Sequence, residues 1–395
     1  MVRRMTESNV LSRVWRFLSG MHALALADQA VVSGTSFLTS VLIGRWAGSS
    51  QLGIYAIGLS LLISVVAVQN SLISLPYTIG PRQGLTTAAE LAGNSFIYNG
   101  MFSALVLVAL ILFALGLSAY REGSELNVLI WVLACVAPFA LLREFSRQIL
   151  FTHLNLKGAL ALDTAAASIQ ISLLGALGWT GQLSAVLALN AIGVASALPT
   201  LAWLFMTRRG SSVRWSNARS ALRSNWDLGK WLLGGQLAVQ VQSYVNLWLS
   251  TAIIGTAATG IYAACMSVVS AMNPLISGFT NILTPRAVLA WNTGGRDRLR
   301  TQAICDSLLL GLVTSLFCLL VIFGGEKLIR LLYRGQDYAG LGGLVTVLSL
   351  ALVGQVVGVP ASNALASMRR TRAIALASLA GAVVTVIVVW PLMVH

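Results

Sequence analysis

The chain has 395 residues, of which 57% are hydrophobic and only 10% are charged. Soluble globular domains carry about 25% charged residues, so this composition excludes one and predicts an all-α polytopic membrane protein. The formal charge of +14, from 26 Lys+Arg against 12 Asp+Glu, does not mark a nucleic-acid binder, because basic residues in such a chain mostly report topology.

In chain order, residues 1–22 come first. Arg3, Arg4, Arg13 and Arg16 accompany an apolar side made of Leu11, Val14, Trp15 and Leu18. The apolar run starts only near Ala23, so this is a cytoplasmic amphipathic segment rather than a cleavable signal. A spanning helix needs roughly 20 mostly apolar residues. That length predicts eleven, at 26–46, 53–79, 92–118, 125–147, 158–179, 183–206, 231–254, 259–284, 303–324, 342–366 and 373–394. The basic segment 207–230 is a cytoplasmic linker between a six-helix bundle, 23–206, and a second bundle, 231–395, in which five helices are seen. The expectation is a twelve-helix plan with a truncated last helix. With the N-terminus inside, 21 basic residues fall on the cytoplasmic side and 5 on the other, which fixes the orientation in the plasma (inner) membrane.

The two bundles repeat one another. Gly48-Ser-Ser-Gln-Leu-Gly-Ile-Tyr-Ala56 returns as Gly255-Thr-Ala-Ala-Thr-Gly-Ile-Tyr-Ala263, an offset of 207. The same offset carries Gln29, Ser33 and Ser36 onto Gln236, Gln240 and Ser243. Each trio steps by four and three, so each lies on one helix face. The second and eighth predicted spans both end in Pro-Arg, at Pro81-Arg82 and Pro285-Arg286. An even number of spans between equivalent helices makes the repeats parallel, two pseudo-symmetric bundles around a central cavity.

No catalytic arrangement is present in the sequence: there is no phosphate-binding loop, no HExxH and no extramembrane domain to hold a triad. An enzyme is therefore not expected, nor a cofactor. Cys135, Cys265, Cys305 and Cys318 form no metal-ligand pattern and read as small packing residues. What remains is polar. The first span carries Asp28, Gln29, Ser33, Thr35, Ser36 and Thr39, the second Gln69, Asn70 and Ser71, and the seventh Gln236, Gln240 and Ser243. Such groups either bond helix to helix or line a cavity at the repeat interface. Gln29, Ser33, Ser36, Gln69, Asn70, Gln236, Gln240 and Ser243 are the candidate substrate-lining residues. Asp28, whose repeat partner is Gly235, could bind a cation, pair with an arginine, or act as a charge at a helix start. Arg143 and Arg147 share a face and could receive a phosphate, or anchor the cytoplasmic end. Asp163 and Asp306 have Lys157 and nearby arginines as possible partners, and lie where water access suffices.

Asp28-Gln29, the run from Ser33 to Arg45 and the Gly48-x4-Gly-Ile-Tyr-Ala56 motif resemble the polysaccharide (O-antigen type) flippases of the multidrug/oligosaccharidyl-lipid/polysaccharide transporter superfamily. The resemblance covers nearly the whole chain in topology, with its motifs confined to the first two spans and their repeats. It implies alternating access that moves a lipid-linked oligosaccharide outward. The partners it implies are membrane lipids and a glycan polymerase or glycosyltransferases. The alternatives are a cation-coupled multidrug or metabolite antiporter of the same superfamily, with Asp28 holding H⁺ or Na⁺, and a non-transporting scaffold of a polysaccharide assembly complex.

Overall fold

The computed structural model describes residues 2–79, 88–120, 125–207, 218–333, 335–368 and 370–394. Every regular element among them is helical. The first bundle holds α1 (Val2–Trp46), α2 (Gly48–Gln69), a π turn (Asn70–Ser74), α3 (Leu75–Ile79), α4 (Ala88–Tyr120), α5 (Glu125–Thr152), α6 (Leu156–Trp179) and α7 (Ala185–Thr207). The second holds α8 (Ala218–Ile253), α9 (Thr256–Ser270), α10 (Asn273–Leu332), a 3₁₀ turn (Gln336–Tyr338), α11 (Gly342–Val357), α12 (Val359–Ser367) and α13 (Thr371–Val394). The amphipathic segment and the first predicted span form one continuous helix, α1.

Among the described residues nine helices are long and apolar enough to cross a membrane, and a bent pair formed by α9 and Asn273–Thr280 makes a tenth. The seventh predicted span, 231–254, lies in α8, where Gln236, Gln240, Gln242 and Asn246 dilute the apolar stretch. The long α4 shows the opposite extreme: Leu105, Leu112 and Phe113 are exposed, as a hydrocarbon-facing helix requires. Of the cysteines, Cys265 and Cys318 are buried, whereas Cys135 and Cys305 lie on the bundle surface.

Of the two expected Pro-Arg helix ends, Pro81-Arg82 lies outside the described residues, and the other moves, since α10 continues through residue 285 instead of ending there. Its interruption falls at Gly295, whose φ of 60° is open to glycine and strained for other residues. The eighth predicted span is also not straight, since α9 and α10 meet at a 45° bend just ahead of Pro274.

The repeated glycines explain how the bundles join. Gly48 and Gly255, the first glycine of each copy, sit at φ 89° and 121° and turn the chain into α2 and α9. The second glycine of each copy is a contact. A Cβ on Gly53 would collide with the carbonyl oxygen of Thr256, and a Cβ on Gly260 with that of Ser49. The pairs are reciprocal under the 207 offset, so α2 and α9 cross back-to-back about a local two-fold. Their crossing is the main seam between the bundles, extended by α8 against α2 and by α1 against α9 and α10. Small residues permit this approach in a bilayer, where packing rather than hydrophobic burial holds helices together.

Candidate functional site

The centre of the site is assembled by α1, α5 and α6. Asn155 caps α6, its side chain accepting from the Gly158 N–H at 3.0 Å. Two turns later Asp163 faces α5, where Arg143 and Arg147, four residues apart, present one basic face. Arg143 Nη2 donates to Asp163 Oδ1 at 2.6 Å, and Arg147 Nε donates to Asp163 Oδ2 at 2.6 Å. The other edge of Arg147 reaches α1: Nη2 donates to Asp28 Oδ2, also at 2.6 Å. Glu144 approaches Arg147 at 3.5 Å, and the guanidinium lies 5.0 Å over the Phe151 ring.

Burial gives these pairs their weight. Asp163 is 0% and Asp28 1% exposed. Carboxylates in such places persist only when paired and hydrogen-bonded. Two arginines meet three carboxylates (Asp28, Asp163 and Glu144), so the cluster carries one surplus negative charge. Within it, Asp28 Oδ1 is buried with no hydrogen-bond partner. Beside it lies a cleft of about 250 Å³ whose walls include Gln29, Arg147, Gln148, Phe151, Ser277 and Gly278. The cleft therefore lies between the two bundles, α1 and α5 on one side and the start of α10 on the other.

The candidate lining residues separate into groups. Gln29 lines the cleft and donates to Ser33 Oγ at 3.2 Å. Ser36 is exposed one turn further along. Gln69 does not face a cavity: it is fully buried inside the first bundle, donating to Asn99 Oδ1 and, at 2.7 Å, to the Leu141 carbonyl. Asn70 opens the π turn and is half-buried. On α8, Gln240 is buried, Gln236 half-buried and Ser243 exposed, and none of the three lines the Asp28 cleft. The second bundle contributes Ser277 and Gly278 there. Ser277 is the repeat counterpart of Asn70 at the same offset of 207, the signal that would have pointed to it.

Several charges change meaning. Asp163 is sealed from water and held by Arg143 and Arg147 rather than by Lys157. Arg143 and Arg147 are both engaged by carboxylates, Arg143 through Nη2 and Arg147 through Nε, Nη1 and Nη2. Asp306 is buried and accepts from Gln302 Nε2 at 2.9 Å. Thr39 is buried against α6, accepting from Gln170 Nε2 at 2.8 Å. Asp28 and Thr39 thus form a polar stripe on α1 distinct from that of Gln29 and Ser33. Gly235, the repeat partner of Asp28, packs beside Ala375 of α13, so the charge cluster has no symmetric copy.

The end of the molecule bearing the α1–α2 corner is closed by polar contacts across the seam. Ser50 Oγ and Thr256 Oγ1 share a hydrogen bond at 2.8 Å, and Ser49 Oγ donates to Asp337 Oδ2 at 2.7 Å. Tyr333 is buried against Gly44, where a side chain would clash with its ring. Further along, Trp248 Nε1 donates to Ser60 Oγ at 2.9 Å. The Asp28 cleft lies further back along α1, which ends at Trp46.

No protein-family model matches the sequence, and no curated protein does either. Solved structures do match, across the whole chain. An inward-facing multidrug resistance MATE family transporter of the MOP superfamily matches with 15% identity and a TM-score of 0.60, over 91% of this chain and 83% of that one. A MOP superfamily transporter from Pyrococcus furiosus, described as having a binding pocket of reverse polarity, gives 11% and 0.57 over 94% of each. A Vibrio cholerae MATE transporter variant gives 16% and 0.54 over 97% of this chain and 96% of that one. The fold is MATE-like. The MATE-like fold makes this a multi-pass membrane protein whose named structural neighbours are transporters rather than enzymes.

Proposed function

We propose that this chain is an alternating-access transporter that exchanges a cation held at Asp28 for an organic solute admitted to the cleft between its bundles. One observation carries this reading: a buried carboxylate with one unpartnered oxygen, in a cluster with one surplus negative charge, borders an interbundle cleft. Ionisable residues inside membrane spans are expensive, and they mark ion pathways when they face a cavity. Repeat interfaces are where transporters place their sites, and rocking one bundle against the other exposes such a site to each side in turn. The basic-residue bias supports a cytoplasmic N-terminus, with the Asp28 end of α1 on the same side. In proteoliposomes loaded with ethidium, Asp28→Asn is expected to abolish gradient-driven efflux while leaving the folded yield unchanged. Retention of full efflux by that variant defeats the assignment.

The transport reading has its own test at the seam. In a background without the native cysteines, Ser50→Cys combined with Thr256→Cys places two thiols where hydroxyls now sit 2.8 Å apart. Oxidation should stop transport and reductant restore it. Undiminished transport through the cross-linked protein contradicts movement at this seam.

The second reading is a flippase for lipid-linked oligosaccharide, favoured by the Asp28-Gln29 and Gly48-x4-Gly-Ile-Tyr-Ala56 motifs. The Pyrococcus furiosus neighbour, with its pocket of reverse polarity, supports a fold that tolerates different cargo. Against it stands the neutralisation of Arg143 and Arg147, which leaves the cluster poorly suited to a pyrophosphate. Accumulation of lipid-linked glycan on the inner leaflet of a deletion strain, with no change in dye efflux, selects the flippase. No change in either selects the scaffold.

A further inference from the structure

We propose that the corner of the second bundle where the elbow of α10 meets the α12–α13 junction is a binding surface for the phosphate of an anionic phospholipid headgroup. Two separate stretches of chain build it. Beyond the elbow at Gly295, α10 carries Arg296, Arg298 and Arg300, all exposed, and the turn between α12 and α13 carries Arg370, exposed as well. Packing brings the two stretches together: Ala287, Ala290 and Leu299 of α10 form a buried cluster, with Ala364 and Met368 packed against it. The chain at Arg370 is held back over α12, its N–H donating to the Leu365 carbonyl at 3.0 Å. The surface is independent of transport, since a protein that moved nothing would bind the same lipid.

A topological bias alone asks only that such charges stay on one side of the membrane. Three features ask for more. The first is charge without a counter-charge: the ion pairs among the described residues engage Arg143, Arg147 and Arg330, and none of these four. Arg298 uses one edge on Thr293 Oγ1 at 3.0 Å, and the neighbouring carboxylate is Asp297 alone, so the corner keeps a positive surplus. The second is depth. Ile304 and Leu308 are exposed apolar side chains one and two turns past Arg300, and Leu376 lies less than two turns past Arg370. At about 1.5 Å per residue the arginines stand within ~10 Å of hydrocarbon, the level of headgroup phosphates. The third is an apolar neighbour at that level. Leu289 and Trp291, on the arm of α10 before the elbow, are exposed, and tryptophan favours the boundary between acyl chains and headgroups. A guanidinium fork fits two phosphate oxygens at once, and an anionic leaflet favours each nearby basic residue by about five-fold.

The test places the purified full-length protein in nanodiscs of phosphatidylcholine with and without phosphatidylglycerol. Native mass spectrometry reads the lipid retained, and thermal melting is the second readout. The wild type is expected to retain phosphatidylglycerol at least ~10-fold over phosphatidylcholine and to melt higher in its presence, both effects fading in high salt. Arg298→Gln, Arg300→Gln and Arg370→Gln combined should remove the preference. Should that triple not fold, Arg300→Gln alone takes its place, with an expected loss of about five-fold. Arg330→Gln, at the opposite end of α10, is the control and should leave the preference intact. No preference in the wild type, its survival in the glutamine variants, or an equal loss in Arg330→Gln overturns the inference. Stabilisation by inorganic phosphate in phosphatidylcholine discs, as large as that by phosphatidylglycerol, assigns the corner to a free anion and overturns it as well.

Discussion

Asp163→Ala is expected to lose most of its folded protein, and more of it than Asp28→Asn. Asp163 is the shared anchor of both arginines, accepting one hydrogen bond at 2.6 Å from each. The arginine side chains are only 21% and 19% exposed, so removing the anchor leaves two neighbouring cations without their main counter-charge. Breaking a buried pair in this way costs about 3–5 kcal/mol. Asp28→Asn removes one charge but keeps an oxygen to accept from Arg147, and Glu144 and Asp163 still face the guanidinium. Detergent thermostability separates the two: Asp163→Ala should melt about 10 °C lower, and Asp28→Asn close to wild type. Replacing Arg143 by Leu together with Asp163→Ala should recover part of the loss, since one of the stranded cations disappears. Equal melting of Asp163→Ala and wild type shows that the network contributes nothing to holding α5 against α6.

Gly53→Val is expected to be as damaging for a different reason. Here the obstacle is backbone: the new side chain meets the Thr256 carbonyl, which cannot swing aside as a flexible side chain would. Overpacking a tight contact costs up to about 3 kcal/mol, and more where nothing yields. The reciprocal variant Gly260→Val meets the Ser49 carbonyl and should behave alike. Gly100→Val is a control, because nothing lies near a Cβ at that glycine. Size-exclusion profiles should show the two seam variants aggregated and the control monodisperse. Wild-type behaviour of either seam variant breaks the account of how the bundles join.

These two sites differ in how much the sequence reveals. The Gly-x4-Gly copies are local and repeated, so spacing alone singles them out, and each glycine then has its own physical reason: a left-handed turn at Gly48 and Gly255, a close approach at Gly53 and Gly260. The charge network is not local. Asp28 and Arg147 are 119 residues apart, and nothing in either segment says that they meet. Gln69 shows a second limit. A lone amide in an apolar helix satisfies the same sequence pattern whether it faces water or, as here, donates to Asn99 and the Leu141 carbonyl inside the first bundle. The repeat also misleads when extended too far: α8 mirrors α1 in its glutamines, but the cleft takes its second wall from Ser277 and Gly278 on α10. Periodicity identifies a polar face, and only packing decides what that face meets.

The 45° elbow between α9 and α10 separates two duties that a straight helix would bind together. Gly260, ahead of the elbow, is locked into the seam, whereas Ser277 and Gly278, beyond it, border the cleft. The wall that meets Leu26 is therefore set by the direction of α10 beyond the bend and not by the fit of α2 against α9.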